Sequence, residues 1–355
     1  MKLSDFDYDL PESMIAQTPA EPRDSSRLLV LDRQTGAIEH HIFRELVEMI
    51  DPGDVIVLNV TRVIPARLHA TKADTGGGVE VLLLRPLDET RWQALVGGRR
   101  VLVGTKLLFG ESGITAEVVE ELHESERVIQ FSEPIDEWLD RLGEMPLPPY
   151  IHRRLDDPER YQTVYSQEKG SAAAPTAGLH FTPELLLALR AKGVLFAQVT
   201  LHIGLGTFQP VKAEDIREHH IHSERAMLSA ADAKIINEAK LAGGRVIAVG
   251  TTVARTLETA GILSEGGDPA HPEQSADACP WRPVIAFERD TDLFIYPGYR
   301  WRVVDTMITN FHLPKSTLLM MISSFAGRDH VLNAYEIAKR EDYRFFPFGD
   351  AMFIR

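Results

Sequence analysis

The sequence predicts a mixed α/β domain that carries an inserted small β-barrel, a combination of the α/β and all-β classes. Its 355 residues exceed the size of one ordinary domain. Strand and helix patterns alternate at both ends of the chain, whereas five or six short strand patterns follow one another in between. We therefore expect residues 1–62 and 150–355 to form the α/β domain and residues 63–149 to form the barrel.

The first α/β segment has the pattern of a strand, a helix and a second strand. Short β-branched and leucine-rich runs at residues 27–33 and 54–59 are typical of strands. Between them, residues 43–50 have the apolar spacing of a helix, and the Asp-Pro-Gly sequence that follows ends it.

The inserted segment consists of short apolar runs that glycine-rich or acidic turns separate. The runs are GGGVEVLLLRP, RWQALVGG, VLVGTKLLFG, GITAEVVEEL and ERVIQFSEP. Their spacing of about 8–12 residues is typical of a small sandwich or barrel. The segment ends at MPLPPY, where Pro146, Pro148 and Pro149 predict a stiff connector.

After the connector the pattern alternates, which predicts parallel strands covered by helices. Helices are predicted at PELLLALRAKG, AADAKIINEAKLAGG, TVARTLETAG and STLLMMISSFAG, and strands at LFAQVTLHIG, RVIAVG, DLFIYPG and WRVVDTMITN. In the last helix we expect Ser316 as the N-cap and Gly327 at the end.

Composition narrows the class of protein. The net charge of −14 argues against a nucleic-acid partner, but residues 62–106 hold eight Lys or Arg against four Asp or Glu, which permits a local basic face. No apolar run approaches the ~20 residues of a membrane span, and the acidic N-terminus lacks the apolar core of a signal peptide. Cys279 is the single cysteine, so we expect no disulfide and a cytoplasmic location.

The stretch AAAPTAGLHFT places small residues and one imidazole at the start of a predicted helix. Thr176, Ala177 and Gly178 allow the backbone to approach a ligand closely, and free N–H groups at a helix start bind polar groups. His180 either lines that ligand site or is a buried histidine bonded to a backbone carbonyl.

Further strand ends carry polar residues. His202 follows a predicted strand, and Thr251, Thr252 and Arg255 follow the next, where hydroxyls, helix N–H groups and a guanidinium suit a carboxylate or a ribose. A last motif, TNFHLPKST, offers Asn310, His312, Lys315 and Ser316. Because α/β folds bind ligands at the C-terminal ends of strands, we expect a composite active-site rim at one sheet edge. Ordinary core packing and helix capping are the alternatives.

Two other motifs argue against common cofactor sites. GLGTFQ at residues 204–209 has only two of the three glycines of a dinucleotide fingerprint and no clear helix directly behind it. EHHIHSE holds His219, His220, His222 and Glu224, but at no familiar zinc spacing. We favour a proton-handling or hydrogen-bonding cluster there and expect no metal.

Taken together, these stretches resemble one family, the S-adenosylmethionine:tRNA ribosyltransferase-isomerase of queuosine biosynthesis. The matching segments, in the family's order, are NVTRVIPARL, PLPPYI, ERYQTVY, AAPTAGLHFT, VTLHIGLGTFQPV, HIHSE, AVGTTVARTLE, TNFHLPKSTLLM and YRFFPFGDAMFI. The resemblance implies that S-adenosylmethionine is a consumed substrate that donates its ribosyl group, with isomerisation, to 7-aminomethyl-7-deazaguanine at the wobble position of a tRNA with a GUN anticodon. The products would be epoxyqueuosine-tRNA, adenine and methionine, with no cofactor and no membrane partner. We expect a monomer.

The resemblance also implies roles for individual residues, with base and acid unassigned among the histidines. The implied catalytic residues are His180, His202, His312, Asn59, Thr61 and Arg62. The implied substrate-binding residues are Thr176, Gly178, Thr207, His222, Glu224, Gly250, Thr251, Thr252, Arg255, Asn310, Lys315 and Ser316. The residues expected to face the tRNA are Arg67, Arg99 and Arg100.

Two other classes of protein stay open at this point. A non-catalytic RNA-binding protein would use the barrel for binding and the α/β part as a scaffold, although a scaffold does not need several polar strand ends. A metal hydrolase would use the HHIH sequence, and a one-to-one zinc content would support it.

Overall fold

The computed structural model describes residues 1–122, 125–153, 155–204, 211, 213–219, 221–274 and 281–355. Its strands are β1 (Arg27–Leu31), β2 (Ile38–Ile42), β3 (Val55–Asn59), β4 (Thr61–Val63), β5 (Arg67–Lys72), β6 (Gly78–Pro86), β7 (Arg91–Gly97), β8 (Lys106–Leu108), β9 (Thr115–Glu121), β10 (Glu126–Phe131), β11 (Gly143–Glu144), β12 (Glu168–Ser171), β13 (Leu195–Leu201), β14 (Glu224–Leu228), β15 (Val246–Val249), β16 (Phe287–Thr291), β17 (Thr306–Asn310) and β18 (Ala351–Ile354). Its α-helices are α1 (Leu46–Met49), α2 (Leu139–Leu142), α3 (Pro183–Lys192), α4 (Ala230–Leu241), α5 (Thr251–Ser264), α6 (Thr317–Ala326) and α7 (Arg328–Arg340).

These elements form two compact units, which confirms the predicted combination of an α/β and a β-barrel fold. The first unit comprises Met1–Thr61, Pro149–Glu168 and Pro175–Arg355. The second comprises Arg62–Pro148 and also Lys169–Ala174, a short segment that the sequence assigns to the α/β part.

The first unit is built on one nine-stranded sheet with the order β16-β14-β13-β3-β15-β17-β18-β1-β2. Its centre is parallel, since β3 pairs in parallel with both β13 and β15, and β15 pairs in parallel with β17. Strand β18 runs antiparallel to β17 and parallel to β1. The parallel centre of the sheet needs both of its faces covered.

Helices cover both faces of that sheet, and alternate strand residues contribute to the two cores. Ile56 and Leu58 pack with Leu185 and Leu189 of α3 on one face. On the other face, Val55, Val57 and their counterparts in the neighbouring strands pack with α4, α5, α6 and α7. The period of two along the central strands therefore divides their buried apolar side chains between two layers.

The second unit is a closed antiparallel barrel of six strands in the order β5-β6-β7-β10-β9-β8. The pairing of Thr71 with Leu108 and of Lys72 with Leu107 joins β5 to β8 and closes it, while the short β11 adds to β5 outside the ring. Buried aromatic side chains fill the interior, with the Phe109 and Phe131 ring centroids 5.6 Å apart.

The structure corrects two predicted elements. Residues 292–298 are not a strand, because Leu293 and Ile295 are buried in the core without a ladder partner, and the strand lies just before them in β16. Alternating burial there mimics a strand pattern. The helix expected at residues 43–50 is a 3-10 turn followed by the four-residue α1.

Among the described residues, no helix has both the length and the apolar character that crossing a bilayer requires. Ser316 caps α6 as predicted, accepting a hydrogen bond from the Leu319 amide at 3.2 Å, and Gly327 follows the helix with φ +84°.

Candidate functional site

The predicted strand-end residues of the first unit meet at one edge of the sheet. Strands β13, β3, β15 and β17 are mutually parallel, so their C-terminal ends lie side by side. At these ends stand His202, Asn59, Gly250 and Asn310. Because β18 is antiparallel to β17 and parallel to β1, the start of β1 reaches the same edge and brings Ser26 to it.

The crevice between β3 and β15 is the topological switch point of this sheet. Helix α3 leads into β13 and packs on one face, whereas α5 leaves β15 on the opposite face. Where connections leave neighbouring parallel strands to opposite faces, the loops separate and leave room for a ligand. The site is therefore built from the ends of β3 and β15 and from the end of β13 beside them.

Asn59 joins the segments that form this crevice, and its side chain makes every hydrogen bond of which it is capable. Its amide nitrogen donates to the Leu201 carbonyl at 3.0 Å and to Thr252 Oγ1 at 3.3 Å. Its Oδ1 accepts from the amides of Thr61 and Leu201, both at 3.1 Å. The residue is fully buried, and an amide has two donors and two strong acceptor sites, so Asn59 fixes the ends of β3, β13 and α5 in register.

Thr61 and His202 form a hydrogen-bonded pair at the end of β3 and β13. The Thr61 hydroxyl lies 2.8 Å from His202 Nδ1. His202 is half-buried, and within the described chain its Nε2 has no hydrogen-bond partner. Burial lowers the pKa of His202, while the nearby Glu168 carboxylate acts against that shift. The ring is therefore oriented through one nitrogen and mostly neutral at pH 7, with the other nitrogen available.

The N-terminal end of α5 lies in the same crevice. Gly250 precedes the helix with φ +91°, a conformation that favours glycine, and no side chain caps the helix. The first helical amide with an intrahelical acceptor is that of Ala254, so the amides of Thr251, Thr252 and Val253 have none inside the helix. Three N–H groups and the helix dipole make this end favourable for an anion.

Glu224 and Arg255 form a buried ion pair beside this helix end. Arg255 Nη1 donates to Glu224 Oε2 at 2.5 Å, and both side chains are 6% exposed. Glu224 Oε1 accepts from the Gly204 amide at 2.9 Å. The structure thus uses the Arg255 guanidinium on a carboxylate of the protein itself, where the sequence suggested a ligand carboxylate, and the pair also fixes Gly204, three residues after the end of β13.

His180 lies deeper, at the β1 and β17 side of the edge. Its Nδ1 is 2.7 Å from Ser26 Oγ, its Nε2 is 3.1 Å from Asn310 Nδ2, and its ring stacks on Phe43. Its pKa is lowered to about 3, mainly by burial and to a smaller extent by the positive charges of Arg344 and Arg23. Its partners are side chains, not the backbone carbonyl that a core histidine was expected to have, and both ring nitrogens are occupied.

His312 is likewise buried. Its Nε2 lies 2.7 Å from Thr309 Oγ1, its amide donates to Tyr335 Oη at 2.8 Å, and burial lowers its pKa to about 3. Three predicted histidines therefore share one edge of the sheet, but only His202 combines partial exposure with a nitrogen that has no partner among the described residues.

The small residues of the TAGLH segment are explained by contacts within the protein. Residues Thr176–His180 form a 3-10 helix, and a Cβ on Gly178 would lie 2.0 Å from the Tyr165 hydroxyl oxygen and 2.9 Å from Thr163 Cγ2. Gly178 thus admits the tip of Tyr165, and Ala177 packs beside Gly250. This close approach is between two parts of the protein, whereas the prediction from the sequence is a close approach of the backbone to a ligand.

The remaining predicted residues of this unit lie in varied surroundings. Lys315 is exposed, has φ +58° and pairs with Asp7 at 2.8 Å, and His222 is exposed. Thr207 and His220 are outside the described residues. In the described part of the chain, no group of three or more His, Cys, Asp or Glu side chains is arranged to hold a metal ion.

Arg62, an implied catalytic residue, lies on β4 and belongs to the second unit. The residues expected to face the tRNA also belong to the second unit, and of these Arg67 lies on β5, 3.6 Å from Glu80. Arg99 and Arg100 are exposed on the connection between β7 and β8.

Several residues that complete the site could not be identified as site residues from a single sequence. Ser26 and Thr309 orient two of the histidines, and Glu168 influences the third, yet each is an ordinary polar residue at a strand boundary. Tyr165 belongs to the ERYQTVY segment, which offers a starting point but no indication of its contact with Gly178.

Comparison with known proteins adds two findings. A family model described as "Queuosine biosynthesis protein" matches residues 3–354. A crystal structure described as S-adenosylmethionine tRNA ribosyltransferase from Thermotoga maritima is 38% identical in sequence, covers 99% of this chain and 100% of its own, and has a TM-score of 0.54.

Proposed function

The chain belongs to the family of queuosine biosynthesis proteins, and on that premise we propose that it is an S-adenosylmethionine:tRNA ribosyltransferase-isomerase. The enzyme transfers and isomerises the ribosyl group of S-adenosylmethionine onto 7-aminomethyl-7-deazaguanine at the wobble position of a GUN-anticodon tRNA. The products are epoxyqueuosine-tRNA, adenine and methionine. The activity named for the Thermotoga maritima protein, which aligns over nearly the whole chain, supports the proposal.

The observation that carries this proposal is the oriented Thr61–His202 pair at the switch point of the sheet. The reaction requires a base that removes a proton from the ribose C5′, which the neighbouring sulfonium acidifies. In our proposal Thr61 Oγ1 accepts the Nδ1 proton of His202, which leaves the lone pair on Nε2 to act as that base. A lowered pKa keeps His202 neutral, and thus able to accept a proton, at pH 7.

We assign the amino end of α5 to the methionine part of S-adenosylmethionine. The carboxylate of that part is an anion, and the amides of Thr251 and Thr252 have no intrahelical acceptor. The Glu224–Arg255 pair then acts indirectly, by holding Gly204 in place.

His180 and His312 take positioning roles in this proposal. Each is buried with a pKa of about 3, so the protonated form that a general acid requires is scarce at neutral pH. His180 connects Ser26 to Asn310 and His312 bonds Thr309, so both keep the rim of the site rigid.

The modified base of the tRNA must leave the anticodon stack to enter the site. The aminomethyl nitrogen of that base must be neutral to attack the sugar. A site that excludes water prevents hydrolysis of the activated sugar. We propose that Arg67, Arg99 and Arg100 contact the tRNA backbone, and that the protein acts in the cytoplasm as a monomer without a further cofactor.

The test is adenine release from S-adenosylmethionine in the presence of tRNA that carries the modified base. We expect the wild-type protein to release adenine stoichiometrically with base modification. His202→Ala is expected to reduce turnover by roughly 10²–10⁴-fold, the usual contribution of a general acid or base. His271→Ala, a substitution of an exposed histidine, serves as the matched control.

Two results would contradict the proposal. Tight tRNA binding without adenine release would favour a non-catalytic RNA-binding protein. A folded His202→Ala variant with less than a threefold loss would remove His202 from the chemistry.

A further inference from the structure

The connection between β7 and β8, residues 98–105, carries two neighbouring arginines. Arg99 and Arg100 are exposed, and within the described residues neither guanidinium has a hydrogen-bond or ion-pair partner. Arg91 on the same barrel differs, because its Nε pairs with Asp88 at 2.6 Å. Two neighbouring cations that have no partner in the described part of the chain, on a protein of net charge −14, indicate an external anionic partner.

Lys72 holds the backbone of these two arginines in place. Its ammonium donates to the Arg99 carbonyl at 2.6 Å and to the Arg100 carbonyl at 2.8 Å. Arg100 has φ +54°, a left-handed conformation that is unfavourable for a residue other than glycine. Because the lysine satisfies both carbonyls, its hydrogen bonds favour this conformation.

The rest of the connection is also ordered. Val101 is 5% exposed and lies against Gly98, while the Leu102 amide donates to Thr105 Oγ1 at 3.0 Å and the Gly104 amide to the Val118 carbonyl at 2.8 Å. The turn therefore keeps one shape without a partner, so binding requires little loss of backbone entropy.

At the tip of the turn, two aliphatic side chains face solvent. Leu102 is 58% exposed and Val103 is 57% exposed, next to the two arginines. Exposed apolar side chains that border unpaired cations fit a partner with both negative charge and apolar faces. Single-stranded RNA has this combination, since its phosphates are anionic and its unstacked bases and riboses offer apolar surface.

We propose that residues 98–105 are a preformed docking turn for the tRNA strand, and that Lys72 is the positioning residue that sets its shape. Arg99 and Arg100 contact phosphates, and Leu102 and Val103 pack on ribose or base faces. This inference rests on the proposed function and adds to it the docking element, its apolar tip and the residue that orients it.

A double-mutant cycle separates positioning by Lys72 from direct contact with RNA. Lys72→Met should weaken tRNA binding about tenfold and raise KM for tRNA, while kcat stays at the wild-type value. In an Arg99→Ala/Arg100→Ala background the same substitution should have little further effect, because the groups it orients are gone. Lys72→Arg, which keeps hydrogen-bond donors for the two carbonyls, should restore most of the affinity.

Salt dependence identifies the groups that touch phosphate. The double arginine variant should reduce the slope of log affinity against log salt concentration by the amount that corresponds to about two lost phosphate contacts. Leu102→Ser/Val103→Ser should lower affinity without changing that slope. Arg91→Ala removes a charge from the same barrel, but one already paired with Asp88, and should leave binding unchanged.

The outcomes distinguish this inference from the proposed function. A wild-type protein that neither binds tRNA nor releases adenine would overturn the function. A wild-type protein that does both, with unchanged binding in all variants of the turn, would overturn only the docking turn. Multiplicative effects of the Lys72 and arginine substitutions would show direct contact and overturn the positioning role. Thermal unfolding of each variant verifies that it is folded.

Discussion

At the scale of single residues, identical side chains differ in chemistry because their surroundings differ. His202 and His312 follow strands, whereas His180 ends a 3-10 helix. Burial lowers the pKa of His180 and His312 to about 3, and it also lowers the pKa of His202, where the Glu168 carboxylate acts against the shift. Among the described residues, His202 Nε2 has no hydrogen-bond partner, since Thr61 occupies only Nδ1. In the proposed function, this environment selects His202 for proton transfer and leaves the other two imidazoles to keep the site rigid.

The pH dependence of the reaction tests the environment of His202. Burial lowers its pKa and the Glu168 carboxylate partly restores it, so Glu168→Gln should lower the pKa further. A base must be deprotonated, so kcat/KM rises with pH through this pKa and then levels off. We expect the acidic limb of the profile to move to lower pH in the variant.

Glu238→Gln on α4, which removes an exposed carboxylate that pairs with Lys234, provides the control and should leave the profile in place. An acidic limb that stays fixed in Glu168→Gln, or moves to higher pH, would show that His202 does not produce it.

At the scale of elements, the 3-10 helix Thr176–His180 shows how close packing is achieved. Gly178 leaves space for the Tyr165 hydroxyl, and His180 at the end of the same helix connects β1 to β17. One short element therefore sets the position of an imidazole by fitting against a tyrosine ring.

Gly178→Ala should destabilise the protein by roughly 1–3 kcal/mol, the usual cost of overpacking, because its Cβ would meet the Tyr165 oxygen at 2.0 Å. Tyr165→Phe in that background removes the oxygen and should recover part of the loss in thermal unfolding. Gly78→Ala is the control, since no atom lies within 4 Å of its added Cβ and its backbone needs no positive φ. Equal stability of Gly178→Ala and wild type would contradict the packing explanation.

At the scale of the whole chain, the two ends of the parallel strands in the first unit differ: one carries the candidate site, and the other carries hydrogen bonds that stabilise the fold. The C-terminal ends of the parallel strands carry the candidate site. At the opposite edge, buried Asp54 accepts hydrogen bonds from the Arg245 amide, Nε and Nη2 and from the Asp51 amide. Burial would raise the pKa of Asp54, but these hydrogen bonds outweigh it and lower the pKa overall.

Asp54→Asn should therefore reduce stability by about 2 kcal/mol while the folded protein keeps its turnover. The lowered pKa means that the carboxylate stabilises the fold above the unfolded-state pKa, and that this contribution is lost as pH falls through the folded-state value. Thermal unfolding from pH 7 to pH 3 should show a shallower decline for the variant. A variant of unchanged stability with reduced turnover would contradict this division of the sheet.

From the amino-acid sequence alone one can predict the two-part fold, the alternation of strands and helices, the N-cap of α6 and the family. These properties follow from local patterns, because the period of apolar residues, the turn residues and the capping side chains act over a few positions. A family can be assigned from contiguous motifs without knowledge of the contacts that their residues make. The predicted strand at residues 292–298 fails for the same reason, since local alternation reports burial and not strand pairing.

The contacts of each side chain, in contrast, can be established only from the folded arrangement of the chain. Thr61 and His202 are 141 positions apart, and Ser26 and His180 are 154 apart. The structure also shows that Gly178 admits Tyr165 and that Arg255 binds Glu224. Hydrogen-bond partners, burial and the resulting pKa values depend on distances between remote segments, and these distances exist only after the strands have aligned in one sheet.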